Sequence, residues 1–400
     1  MVEKLPKGWK WVKLGDVSEI VSKGTTPTSL GHSYTSKGIP FLRAEDVTGR
    51  AVDSDRVAFC ISNETHGFLS RSQLQPGDLL ITIAGTLGRV GYVPEEAPPL
   101  NCNQAVAFIR LIPQLINVQY ACFACQLNIV TSSFDRLQAG GTIKNLNLEQ
   151  VRGIVIPLPP LPEQKRIVAI LTDRLSTIDK ARTATEAQLK AAKALPAAYL
   201  REVFDRPEAQ KWEKKRLGDV CELVGGMQPP KSTFQYKPLP NYVRLVQIQD
   251  FRRSDLAVYI PQEEAKRQFN KTDVMIGRYG PPVFQILRGL SGAYNVALMK
   301  TVPTENLLKD YLYYLLQEPG IQNAVINQSQ RSAGQSGVQK EFLEQFGVFV
   351  PSIDKQQKIV EMLSDKFLAI KLLKQSLQSQ LNTINKLPAA LLRQAFNGEL

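Results

Sequence analysis

Residues able to make or break bonds are few in this chain and poorly placed for it. His32 and His66 are its only histidines, and no Gly-x-Ser-x-Gly elbow accompanies them to present an activated serine. Cys122-x-x-Cys125 has metal-ligand spacing, but it lies in the apolar run Tyr120-Ala121-Cys122-Phe123-Ala124-Cys125 with no second Cys or His pair nearby. A structural zinc needs four ligands, so the two cysteines read as small buried residues and no metal is expected. Asp78 and Asp273 each precede an apolar run, where an aspartate more often holds a turn than catalyses. The other acidic residues form no paired-carboxylate or nuclease-like cluster. The sequence also lacks a Gly-x-x-x-x-Gly-Lys-[Ser/Thr] phosphate loop and any Asn-Pro-Pro-aromatic or Asp-Pro-Pro-aromatic run, a signature of amino-methyltransferases. No catalytic residue is assigned, and the chain is expected to bind without reacting.

The charge balance suggests what it binds. Lys and Arg outnumber Asp and Glu by 49 to 37, giving a net charge of +12 and a pI near 9.4. That excess favours an acidic partner, nucleic acid ahead of a membrane surface, over a basic protein with scattered lysines. No apolar run reaches the roughly 18 residues that span a bilayer. The stretch Met1–Val12 is charged and carries Pro6 and Gly8, without the apolar core of a signal peptide. A cytoplasmic location is therefore expected. Five cysteines (Cys60, Cys102, Cys122, Cys125, Cys221) are too few, and odd in number, for a disulfide framework.

The elements that would position any binding residues come in two copies. Gln164–Phe204 returns 192 positions later as Gln356–Phe396, without a gap and with fifteen identities among 41 residues. Gln164, Ile167, Leu171, Gln188, Pro196 and Phe204 are among them. Each half also opens alike: Trp9 and Leu14-Gly15-Asp16-Val17 are echoed by Trp212 and Leu217-Gly218-Asp219-Val220. The middles diverge but keep an outline. Leu79–Ile83 and Val274-Met275-Ile276 read as buried strands, each followed by a glycine loop. Val118–Leu127 and Leu307–Leu316 read as helices, and Gly153–Ile156 and Gly347–Val350 as further strands. With 43% apolar residues, each half can bury its own core. Strands mixed with a few helices imply an α/β (α+β) head of about 150 residues in each half.

The repeated segments read as long amphipathic helices. Pro162 and Glu163 suit the first turn of one, and Ser352 or Asp354 can cap the other. Apolar residues step by four and three through Leu171, Leu175, Ile178, Leu189 and Ala192, and through Leu363, Phe367, Ile370, Leu377, Leu381 and Ile384. This is coiled-coil spacing, interrupted at matching positions by Arg182 and Lys374, whose stems can lie along the seam. Two helices with the same seam can bury it against each other and give the chain pseudo-twofold symmetry. Pro196 and Pro388 are expected to kink or break them. The expected organisation is a head at 1–160, a helical spacer at 161–206, a second head at 207–352 and a second spacer at 353–400.

Taken together, these segments resemble the specificity subunits of type I restriction-modification systems. Leu5-Pro6-Lys7-Gly8-Trp9 with Leu14-Gly15-Asp16-Val17 is similar to that family's beginning. Ile156-Pro157-Leu158-Pro159-Pro160-Leu161-Pro162-Glu163-Gln164-Lys165-Arg166-Ile167-Val168 is similar to the approach to its central helix, and Ala395-Phe396-Asn397-Gly398-Glu399-Leu400 to its usual ending. The match spans the chain in order. It departs at the second junction, where Ser352-Ile353-Asp354-Lys355-Gln356 replaces the Pro-Glu-Gln form.

The resemblance implies two target recognition domains, each reading half of a bipartite double-stranded DNA sequence, on helices paired antiparallel. It implies as partners two modification (methyltransferase) subunits and restriction (translocase/nuclease) subunits, with no membrane. S-adenosylmethionine, ATP and Mg2+ would belong to those partners, and no cofactor to this chain. Base readers are expected in the divergent loops: Thr86, Arg89, Lys144 and Asn145 in the first head, and Arg278, Tyr279, Arg288, Gln335, Gln339 and Lys340 in the second. Two rivals stay open: a coiled-coil scaffold whose heads bind proteins, and a self-sufficient DNA methyltransferase or nuclease with unfamiliar motifs.

Overall fold

The computed structural model describes residues 5–127, 130, 145–253, 255–280, 282–331 and 337–400. The chain forms two compact units, Met1–Thr185 with Gln380–Leu400, and Glu186–Ser379. In the first, the apolar run after Pro76-Gly77 becomes the strand Asp78–Thr82, buried along its whole length. It lies between Val106–Leu111 and Val90–Tyr92, and Ser18–Lys23 completes a four-stranded antiparallel sheet. A strand buried on both faces has no polar side to show, which is why its sequence does not alternate. A second sheet runs Cys60–Ile61, Ile39–Leu42, Leu100–Cys102, Gln73–Leu74, with its central pair parallel. A two-stranded ribbon, Lys10–Lys13 against Val155–Leu158, ties the start of the head to its end.

The second unit repeats this order strand for strand. Its first sheet is Cys221–Gly225, Leu298–Pro303, Met275–Gly277, Gln285–Leu287, and its second is Val258–Pro261, Tyr242–Val246, Gly292–Tyr294, Gln268–Phe269. Its ribbon pairs Glu213–Arg216 with Gly347–Val350. The middles that share little sequence therefore share one topology. What the sequences keep are positions with strict demands. In both openings the Leu and Val of Leu-Gly-Asp-Val are buried. A Cβ on Gly15 would meet that of Arg152 at 3.2 Å, and one on Gly218 would meet that of Glu344 at 3.1 Å. The glycine lets the ribbon turn sit directly on the short helix before the last strand.

The first long helix is Leu161–Phe204 and the second Ile353–Ile384, of 44 and 32 residues. At 1.5 Å per residue they measure about 66 and 48 Å. A short helix, Leu387–Phe396, follows the second. Within the first unit Arg166 meets the carbonyl of Leu400 at 2.8 Å, and within the second Tyr199 and Glu202 meet Lys366 at 4.0 and 3.7 Å. The stepping residues are the less exposed ones. Leu171, Leu189, Leu363, Ile370 and Leu377 are buried, and Leu175, Ile178, Phe367, Leu381 and Ile384 half-buried. Arg182 keeps its head outside, 3.1 Å from Asp179.

The two prolines behave differently. The chain breaks before Pro388, but the first helix runs through Pro196. The preceding turns explain the difference. Ala191-Ala192-Lys193-Ala194 are strong helix formers, and Leu200, Val203 and Phe204 beyond the proline are held in the second unit's core. Asn382-Thr383-Ile384-Asn385 are weak formers, and the helix ends there.

Each head is seated on the helices by the same device. Gln164 is fully buried. Its Oε1 accepts the Asn117 N–H at 2.8 Å, and its Nε2 donates to the carbonyls of Leu115 and Pro159 at 3.0 and 2.9 Å. Gln356, 192 positions on, accepts from Leu308 N–H at 2.8 Å and donates to Asn306 and Pro351 at 2.8 and 2.9 Å. A tyrosine sits beside each: Tyr120 donates to Pro157 O at 2.8 Å and Tyr311 to Phe349 O at 2.9 Å. Phe396 packs tilted against Tyr120 at 5.3 Å between ring centres, and Phe204 meets Tyr311 edge-on at 5.5 Å. The end of each repeat thus packs in the unit whose head belongs to the other repeat.

Candidate nucleic-acid interface

The loop that follows the buried strand is built alike in both heads. In the first, Thr82 holds its base: Oγ1 donates to Thr86 O and accepts the Arg89 N–H at 2.9 Å, while Gly88 N–H donates to Thr82 O at 2.9 Å. Gly85 and Gly88 have φ of +73° and +75°, a conformation that glycine adopts without a side-chain clash. The loop then meets the segment before the short helix Leu148–Arg152, through an Ala84–Asn145 bridge and a Leu146 N–H to Ile83 O bond of 2.8 Å. Thr86, Arg89 and Asn145 are all exposed there. The first head therefore brings three of its four expected readers to one place. Lys144 lies outside the described residues.

In the second head, Arg278 N–H donates to Ala297 O at 2.9 Å and Arg278 O accepts from Val338 N–H at 3.0 Å. Arg278, Tyr279, Gln339 and Lys340 line one pocket of about 570 Å³, with Gly225, Met299, Gly337, Val338 and Glu341. The Arg278 guanidinium lies 5.2 Å from the centre of the Tyr279 ring. A Cβ on Gly337 would fall 2.5 Å from that ring, so a larger residue there would have to displace Tyr279. Arg288 is placed elsewhere. It pairs with Asp310 at 2.7 Å, lies 3.7 Å over Tyr313 and lines a separate cavity of about 680 Å³ beside Pro196, Phe367 and Lys371. Gln335 lies outside the described residues. Glu341, Gly225 and Met299 were not expected in this group. An acid has no evident place in a sequence group of basic and amide side chains, and Gly225 and Met299 lie far off in sequence.

The aspartates before the buried strands are structural. Asp78 caps its turn through Gln75 N–H at 2.8 Å and takes both Nε and Nη2 of Arg110, at 3.0 and 2.9 Å. Burial pushes its carboxyl up despite the arginine. Asp273 accepts from Asn270 N–H at 3.0 Å and pairs with Lys309 and Lys300 at 2.6 and 2.9 Å. Burial would raise it too, but Lys309, the backbone donor and Lys300 outweigh burial and bring it to about 2, below the ordinary 3.8. A depressed carboxyl stabilises the fold above its unfolded pKa, and that stability is lost as pH falls from about 4 to about 2. The linkage is about 2 kcal/mol. Urea unfolding at pH 5 and pH 2 is expected to show the second unit losing about that much more than an Asp273→Asn variant. Equal losses would mean that Asp273 is not ion-paired in solution.

Cys122 and Cys125 are buried, and burial pushes the Cys122 thiol up to about 12 and that of Cys125 higher still. Among the described residues no cluster of His, Cys, Asp and Glu could hold a metal ion. No described helix is long and apolar enough to cross a membrane.

Comparison with known proteins places this architecture. The family model for the type I restriction modification DNA specificity domain matches residues 6–191 and 209–383. The type I restriction enzyme EcoKI specificity subunit of Escherichia coli K12 is 22% identical over 423 aligned positions, covering 99% of this chain and 90% of that one. A chain solved in work on complex assembly and conformational transition of the type I R-M system superposes with a TM-score of 0.79 at 23% identity, covering 99% of this chain and all of the other. The HsdS subunit from Thermoanaerobacter tengcongensis gives 0.64 at 22% identity, covering 100% and 99%.

Proposed function

The chain belongs to the type I restriction-modification DNA specificity family, and from that premise we propose that its heads read the two halves of a bipartite DNA target while the paired helices fix the distance between them. It is a non-catalytic specificity subunit. One observation carries the reading most directly: two heads of identical strand order differ in the loops that follow their buried strands, and those loops gather exposed polar and basic side chains. A scaffold for proteins would not need two such heads on one topology with different loop chemistry.

The helices then act as a ruler and as the docking surface for two methyltransferase subunits. Methyl transfer, with S-adenosylmethionine, falls to those subunits; ATP- and Mg2+-dependent translocation and cleavage fall to restriction subunits. The chain works in the cytoplasm, where the DNA is. Basic side chains supply sequence-independent affinity, and the loops supply discrimination at base edges.

The ruler is tested by inserting four residues into each long helix and selecting duplexes with the chain assembled on its methyltransferase subunits. We expect the preferred gap between half-sites to shift while the half-sites stay the same. A change in the bases themselves, with the gap unmoved, would reject the ruler. DNA binding that is absent, or insensitive to salt, would favour the protein scaffold instead.

A further inference from the structure

Arg278 stands where the other head buries an isoleucine. Ile83 N–H donates to Ala105 O at 2.8 Å and its carbonyl accepts from Leu146 N–H at 2.8 Å. Arg278 makes the same two bonds, to Ala297 O and from Val338 N–H. The adjoining turn is closed in each head by an asparagine, Asn103 to Ala105 N–H at 3.1 Å and Asn295 to Ala297 N–H at 3.2 Å. Ile83 and Arg278 are therefore the same position in two copies of one junction. Ile83 is 3% exposed and belongs to the first head's core.

Among the described residues this arginine gains no side-chain hydrogen bond or ion pair that would favour it over an aliphatic side chain. Its Nε is buried without a hydrogen-bond partner among the described residues, and no ion pair holds its guanidinium there. A buried donor left unmet is costly, and an aliphatic side chain would avoid that cost. The arginine gains orientation instead. Its backbone is tied on both sides, and its guanidinium lies 5.2 Å from the centre of the Tyr279 ring. An arginine held this way is set for a planar pair of acceptors.

We propose that Arg278 reads a guanine in the half-site bound by the second head. This rests on the DNA-reading function given above and names one base within it. Guanine offers O6 and N7 as two coplanar acceptors in the major groove, and its cytosine partner offers an N4 donor. The pocket holds a match for both: Arg278 as donor and Glu341 as acceptor. The same carboxylate would repel a backbone phosphate, which favours a base edge as the occupant. In the first head Ile83 makes no such bond, so discrimination there falls to exposed loop residues such as Thr86 and Arg89.

The test uses the full chain, assembled with its methyltransferase subunits, and a duplex pool randomised in both half-sites. Arg278→Ile installs the residue that the first head already tolerates, and thermal unfolding should show no loss of stability. Selection should lose its preference for one G·C pair, by about 10- to 100-fold, with every other position unchanged. Arg278→Lys keeps the charge but not the fork, and should also lose most of that preference, which covers the case of an isoleucine variant that fails to fold. If affinity instead falls equally for all sequences and the salt dependence becomes shallower by about one charge, Arg278 is a phosphate contact and the guanine assignment fails. Unaltered selection in both variants would also overturn it. Should the wild-type assembly select no sequence at all, the failure lies with the DNA-reading function itself.

Discussion

Deleting Leu387–Leu400 is expected to unfold the first head and leave the second folded. Leu391, Leu392, Ala395 and Phe396 are buried in the same core as Tyr120, Ile167 and Leu171. Phe396 also meets Trp9 edge-on at 6.3 Å. Burying two leucines and a phenylalanine contributes roughly 6 kcal/mol, against the 5–15 kcal/mol that typically holds a domain. The cut would also bare Tyr120 and Leu171 to water. Limited proteolysis followed by fragment mapping should find cleavage throughout residues 10–160 and protection across Glu213–Val350. A truncated protein protected equally in both heads would show that the terminal helix is an ornament to the first core.

The second large effect is expected from the matched glutamines. Gln164→Ala strands one backbone N–H and two carbonyls in a buried site, and Gln356→Ala strands their counterparts. Each buried group left unmet costs about 1–3 kcal/mol, so each substitution should cost about 3–5 kcal/mol after local relaxation. The loss should be local: Gln164→Ala lowers the unfolding transition of the first unit, Gln356→Ala that of the second. Gln357→Ala, one residue along and exposed, should change stability by less than about 0.5 kcal/mol. Calorimetry of the three variants decides the matter. Equal effects at Gln356 and Gln357 would mean that the clamp contributes nothing.

These glutamines also mark how far the sequence could be read. The repeat announced two halves, and the four-three spacing announced a seam, because burial of a helix face leaves a periodic trace. The strands Asp78–Thr82 and Gly347–Val350 were legible as short apolar runs. The identity of strand order between the heads was not. A β topology depends on pairings distant in sequence, and these two middles keep the pairings while exchanging nearly all the side chains. The second helix ends before Pro388, whereas the first continues through Pro196, where local propensity and core burial outweigh one missing hydrogen bond. In the candidate site, Arg278, Tyr279, Gln339 and Lys340, expected there from their loop chemistry, share a pocket. Arg288 had the same chemistry but pairs with Asp310 at the helical base. Nothing in sequence separates the two arginines, because the difference lies in which residue faces each across the fold.

The exchange of helix ends between units sets an order of synthesis. A ribosome finishes every residue of the second unit at Ser379, yet the first unit, whose head was made earliest, still lacks its closing segment. Domains ordinarily fold as they emerge, the N-terminal one first. Here the first head must wait, with the apolar seat for Leu391, Leu392 and Phe396 open, until those residues have followed the whole second unit off the ribosome. A chain cut short by a late frameshift would therefore carry a complete second reader and an unfinished first one.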